Sequence, residues 1–245
     1  MHYIYQNNLQ FYAAAGTMLA AKQPGTISRG QSDTLFSEGV TINNEQLALD
    51  FEEQLAKNYG DNFILLINLI LADDKDLANQ LIYLIKKVMN STILSIKNNY
   101  DRWQFIKDML NNIDDNILTT LRQVKRKNGA ELYKYLGFVR FDGNQNCRTA
   151  FIRPEADLAP ILMTAFIEKF KTNLALFDEG RGYGLIYFDK KIYRKENLPD
   201  IKTGDDYGEL FKTYIKSITI EERINHKLQA GLVPYKNRKF MTEFN

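Results

Sequence analysis

Apolar residues recur through the first half of the chain at intervals of three and four. Leu47, Ala48, Phe51 and Leu55 form one set, and Leu77, Leu81, Leu84, Ile85 and Val88 a second. Trp103, Ile106, Leu110, Ile113, Ile117, Leu121 and Val124 form a third. A period near 3.6 puts each set on one face of a helix. Asn43 or Asn44 is placed to cap the first, because a short polar side chain accepts from the free N–H groups of the opening turn. Ahead of these helices, "MHYIY" before a polar "QNN" reads as a short strand leading into a helix from about Leu9. After the Gly/Ser/Pro loop "KQPGTISRGQSD", the stretch "TLFSEGVTI" reads as extended.

The pattern changes at "LGFVRFDGNQNCRTAFIRPEAD". Two alternating runs flank "DGNQN", whose Gly and Asn residues tolerate the positive φ of a hairpin turn. Leu158, Ile161, Leu162, Phe166 and Phe170 restore the helical period, and "NLALFDEGRGYGLIYFDKKIYRKE" then reads as three strands joined by Gly-rich and Asp-Lys turns. A last helix is expected from about Asp205, with Tyr207, Leu210, Phe211, Tyr214 and Ile218 on its apolar face, stopped at Gly231 and Pro234. The expected fold is α+β, as one compact unit. Residues 1–127 form a mainly helical lobe with short N-terminal strands. Residues 128–245 form an antiparallel sheet lobe with a C-terminal helix and a basic tail.

Composition narrows the function. With 245 residues and 44% apolar content the chain can bury a large core. A formal net charge of +2 is too small for the whole surface to attract nucleic acid, so such a role requires local clustering. The single Cys147 has no partner for an internal disulfide, which fits a reducing, cytoplasmic setting. No membrane span is expected, since "FILLINLILA" carries Asn68 and is about half the roughly 20 residues a span needs. "FYAAAGTMLAA" lacks a preceding Lys or Arg and reads as a core helix, not a signal peptide.

The stock of chemical groups is thin. Two histidines, His2 and His226, and one cysteine exclude a four-ligand Cys/His zinc site, and neither a metal nor a cofactor is expected. Asp73, Asp74 and Asp76 suit a helix N-terminus. Asp114 and Asp115 read as the solvated face of a helix. Nucleophile motifs of the Gly-x-Ser-x-Gly or Cys-His kind are absent. Gly180, Gly182 and Gly184 lie between two apparent strands, so "GRGYG" reads as a hairpin and not a phosphate loop, with Arg181 exposed in its turn.

Cations do cluster. Arg122, Lys125, Arg126 and Lys127 precede the sheet, with Arg140 and Arg148 on or beside its first hairpin. Arg223, Lys227, Lys236, Arg238 and Lys239 interleave with Asn225, Gln229, Tyr235 and Phe240 near the C-terminus. Such sets neutralise phosphates and offer amides and rings to bases, although the same residues also serve as solvated faces or helix C-terminal partners.

Several blocks together resemble a bacterial DNA-metabolism family, the domain-of-unknown-function family 4130. They are "YIY", "LF" at 35–36, Glu131 followed by "GFVRF", "IRPEADLAPILMTAFIEKF", "DEGRGYGLIYFD" and "IEERINHKLQAGLVPYKNRKFM". The resemblance implies a role in DNA repair or modification beside a uracil-DNA glycosylase-type domain or a radical S-adenosylmethionine enzyme. It departs from the family pattern at Ala156 and Ala165, where relatives commonly carry His, and an alanine can neither ligate a metal nor move a proton. Ile224, His226, Leu232 and Val233 also depart from it.

Three readings follow. One is a DNA-associated accessory module that contacts nucleic acid through Arg140, Arg181, Arg223, Asn225, Lys227, Gln229, Lys236 and Lys239. A second is an enzyme acting on nucleic acid or a nucleotide, with Glu131 or Asp157 as acid or base; the competing role for Glu131 is a structural salt bridge to an arginine. The third is a protein-interaction module docking a glycosylase or radical enzyme.

Overall fold

The computed structural model describes residues 2–21, 25–30, 40–73, 75–111, 115–144 and 147–196, with residues 217, 225, 227, 231, 233 and 235–239. The chain divides into two compact units, Met1–Asn128 and Gly129–Asn245.

The first unit opens with β1 (His2–Tyr5), which pairs in parallel with β2 (Thr26–Arg29) on one side and β3 (Val40–Thr41) on the other. Parallel neighbours need a crossover, and α1 (Asn8–Ala20) lies between β1 and β2 in the chain. Asn7 caps α1, its side chain accepting from the Gln10 N–H at 2.9 Å. Asn44 caps α2 (Glu45–Tyr59) in the same way through Leu47, as the sequence indicates. The apolar run at 63–72 becomes α3 (Asp61–Leu71), with Phe63, Leu66, Ile67 and Ile70 buried. Its one polar intruder is satisfied: Asn68 Oδ1 accepts from Asn8 Nδ2 and from the Tyr12 hydroxyl, each at 3.1 Å.

Helix α4 (Ala78–Met89) follows the acidic cluster, of which Asp73 and Asp76 accept from backbone N–H groups nearby and on β2. Asp76 accepts from the N–H groups of Ala78 and Arg29, and Asp73 from that of Lys75. A 3-10 turn (Thr92–Ser95) leads to α5 (Asn99–Leu110), then α6 (Asn116–Phe138), within which the unit boundary falls.

Two expectations are corrected here. The stripe from Trp103 to Val124 is not one helix, because α5 ends at Leu110 and α6 starts at Asn116. Ile117, expected on the stripe, is 39% exposed, and the buried face of α6 starts at Leu118 and continues through Leu121 and Val124. Asp115 is consequently an N-terminal cap and not a mid-helix solvated residue, its Oδ1 accepting from Ile117 and Leu118 at 3.1 and 3.2 Å. Further on, "LGFVRF" is not a strand: α6 continues through Phe138, where Leu132, Tyr135 and Phe138 extend its buried face at three-residue steps.

The second unit contains a five-stranded sheet in the order β4-β5-β6-β7-β8: β4 (Asp142–Asn144), β5 (Cys147–Ile152), β6 (Asn173–Asp178), β7 (Tyr183–Phe188) and β8 (Lys191–Glu196). The sheet is mixed, correcting the expectation of an antiparallel one. β5 and β6 pair in parallel because α7 (Ala159–Phe170) carries the chain back between them; the other pairs are antiparallel. A β4–β5 hairpin forms, but it is displaced: Asp142–Asn144, expected as its turn, are its first strand. The first three residues of "GRGYG" make the antiparallel β6–β7 connection, with Asp178 opposite Tyr183.

Registered neighbours share a sheet face. Arg148, Ala150, Ile152, Leu174, Leu176, Asp178, Tyr183, Leu185 and Arg194 form one face. α7 covers it: the Arg148 guanidinium stacks on Phe170 at 4.7 Å, while Phe166 and Phe170 pack edge-on against Phe141. The final short helix, α8, is Tyr235–Arg238. The expected helix from Asp205 lies almost wholly outside the described residues. The described residues contain no helix long and apolar enough to cross a membrane.

Candidate functional site

Glu131, Asp157, Arg181, Lys236 and Lys239 of the second unit collect around two loops, 153–158 before α7 and 179–182 between β6 and β7. Asp178, at the end of β6, has a fully buried side chain. It turns the chain by accepting from the Gly180 and Arg181 N–H groups at 2.9 and 3.3 Å. Its other oxygen meets Arg181 Nη1 at 3.1 Å. Burial pushes the Asp178 carboxyl up, against the downward pull of Arg181.

Arg181 was expected to be exposed. Instead its side chain is 22% exposed and its guanidinium also donates to the Pro154 carbonyl at 3.2 Å and the Glu155 carbonyl at 2.5 Å. One arginine thus clips the two loops together, with three hydrogen bonds turned inside the protein. Glu131, from α6, reaches the same loop. Its two carboxylate oxygens accept from the Glu155 and Ala156 N–H groups at 2.8 and 3.2 Å. The salt bridge to an arginine expected for Glu131 is replaced by these two backbone hydrogen bonds.

Asp157 accepts from the Tyr183 hydroxyl, and Arg194 lies 3.8 Å from the centre of the Tyr183 ring. Burial, together with the Asp157 charge, drives the Tyr183 hydroxyl far above its ordinary value, so it is a fixed donor at neutral pH. Ala156, where the resemblance implies an imidazole, is buried beside this pair. The two carboxylates proposed as acid or base therefore hold loops and a tyrosine.

The C-terminal cations arrive at the same loops. Lys236 Nζ lies 3.7 Å from Glu155, and Lys239 pairs with Glu179. Lys134 donates to the Gly231 carbonyl at 3.3 Å. Arg140 is half-buried and donates to the Gly137 carbonyl at 3.3 Å. The basic tail thus meets carboxylates of its own chain. Lys227 and Asn225 are exposed, while Arg223 and Gln229 lie outside the described residues.

A second set of cations went unnominated. At the β7–β8 hairpin and along β8, Lys190, Lys191 and Lys195 are exposed, and none has a salt-bridge partner among the described residues. The alternation of Lys and aromatic residues in "YFDKKIYRKE" carries the signal, yet alternation equally marks any half-buried strand. Only the strand's place at the sheet edge separates the two. No group of three His, Cys, Asp or Glu is placed to hold a metal ion among the described residues.

The molecule is thus an α+β protein whose second unit carries a mixed sheet, with its charged loops locked by internal ion pairs and an edge strand open to solvent. The family model described as Domain of unknown function (DUF4130) matches residues 88–243, and the chain belongs to that family. The match leaves out the N-terminal "YIY" and "LF" blocks. No curated protein and no solved structure matches the chain.

Proposed function

We propose that the protein is a nucleic-acid-associated accessory module of DNA metabolism, acting in the cytoplasm beside a glycosylase-type or radical S-adenosylmethionine enzyme. The observation that carries this reading is the cation set of Lys190 in the β7–β8 turn and Lys191 and Lys195 on the edge strand, with Lys227 exposed elsewhere in the unit. Cations held by carboxylates cannot release counterions from DNA; these four have no such partner among the described residues. Lysines also guard an edge strand against pairing with other chains, a role compatible with contacting a polyanion. Glu131 and Asp157 are committed to internal bonds, which favours binding over acid–base chemistry as their setting.

The test is a titration of the purified protein with single-stranded, duplex and uracil-containing DNA at about 50 and 200 mM salt, the range over which phosphate contacts weaken steeply. Binding is expected at the lower salt and should weaken by at least tenfold at the higher. No binding at either salt would overturn the reading and leave a protein-interaction module, to be pursued by nuclease-treated pull-down of a partner enzyme.

A further inference from the structure

The second face of the sheet is graded. Ala175, Phe177 and Gly184 are buried, Phe151 and Ile186 half-buried, and Tyr193 and Phe188 are 50% and 58% exposed. Register places Ile186 opposite Tyr193 and Phe188 opposite Lys191, so all four share this face, with Lys195 opposite Gly184. α7 lies on the other side, as the Arg148–Phe170 stack and the Asp157–Tyr183 bond require. The open end of the sheet therefore presents two diagonal aromatic rings flanked by two ammonium groups. Diagonal neighbours on paired strands sit about 7–8 Å apart, within reach of large side chains. The reverse of β8 is different: there Arg194 is bonded to Glu196 and stacked on Tyr183.

Neighbouring exposed rings make an apolar patch of the kind that marks an interaction site. Duplex DNA keeps its base faces stacked inside, so it offers phosphates and groove edges but no faces for the rings. A single strand offers both groups the surface can use: unstacked bases for the rings and phosphates for the lysines. Resting on the nucleic-acid reading above, we propose that this face of β7–β8 is a single-strand binding platform. Phe188 and Tyr193 stack on bases, and Lys191 and Lys195 contact the adjoining phosphates.

The proposal is tested with a fluorescein-labelled oligothymidylate and a hairpin duplex of equal charge, titrated against the full chain at several salt concentrations. The single strand should bind more tightly. Tyr193→Ala and Phe188→Ala should each weaken it about 5- to 100-fold without changing the dependence on salt, since stacking releases no counterions. Lys191→Ala and Lys195→Ala should each reduce the slope of log affinity against log salt by about 0.7. Tyr193→Leu keeps the apolar bulk and guards against a folding artefact; it should bind like Tyr193→Ala, and Tyr193→Phe like the parent. Equal affinity for both probes, with the aromatic variants unaffected, would overturn the platform and leave the nucleic-acid reading intact. Loss of binding to both probes by the parent protein would overturn both.

Discussion

Two glycines of one short motif are required for different reasons. Gly182 has φ +71° and no neighbour near its missing Cβ, so its requirement is backbone conformation alone. Gly184 sits in register with Phe177, whose ring lies where a Cβ would be. Substituting alanine at Gly184 must push a buried ring out of place, and Gly184→Ala should cost about 1–3 kcal/mol in urea denaturation. Gly182→Ala carries only the left-handed strain of about 1–2 kcal/mol. Equal stability of the Gly184 variant and the parent would show that the ring has room to move. The sequence gives no hint of this difference, because both residues look like turn punctuation. The same limit applies to Arg181 and Glu131: their types and positions are legible, but their partners are backbone groups of a loop more than twenty residues away.

At the scale of elements, the junction of α4 with the start of α6 depends on Asp115. This residue caps α6 and also accepts from Lys87 Nζ at 2.9 Å and the Tyr83 hydroxyl at 2.8 Å. The hydrogen bond from Lys87, with those from Tyr83 and the Leu118 N–H, holds the Asp115 carboxyl down at about 2 against an ordinary 3.8. A carboxyl depressed in the folded state contributes stability above its unfolded value and loses it as pH falls through the folded one. Stability of the parent should therefore drop between about pH 4 and pH 2, and Asp115→Asn should flatten that limb in thermal melts recorded across the range. An unchanged acid limb would mean that the bonds are not kept in solution. Helical faces were legible here because period 3.6 is a local property. The break between α5 and α6 was not, because apolar spacing runs on past Leu110 with no Gly or Pro in "NNIDD" to mark the end of α5.

For the molecule as a whole, each unit buries phenols. Burial raises the Tyr5 hydroxyl from 10.0 to about 12 and raises Tyr12 further. In the second unit Tyr183 behaves likewise. Groups raised on folding stabilise fully below their unfolded pKa and lose that contribution as pH climbs through the folded value. Stability should fall from about pH 10 towards pH 12, tracked by far-ultraviolet circular dichroism, and Tyr5→Phe should lessen the fall. A Tyr5→Phe profile that superimposes on the parent would exclude this phenol as a source of the alkaline loss.

Local pattern alone determined the α+β class, most of the helix faces, the Asn44 cap and the run of three strands from β6 to β8, because periodicity, capping and turn chemistry act within a few residues. Tertiary structure decided the parallel pairing of β5 with β6, since pairing depends on which strand lies beside which after α7 has crossed. It also decided which cations are spent. Arg181, Lys236 and Lys239 look in the sequence like Lys191 and Lys195, but the former meet carbonyls and carboxylates of their own chain and the latter face solvent at a sheet edge. A charge's availability is set by its neighbours in space, and those neighbours are brought together only by the fold.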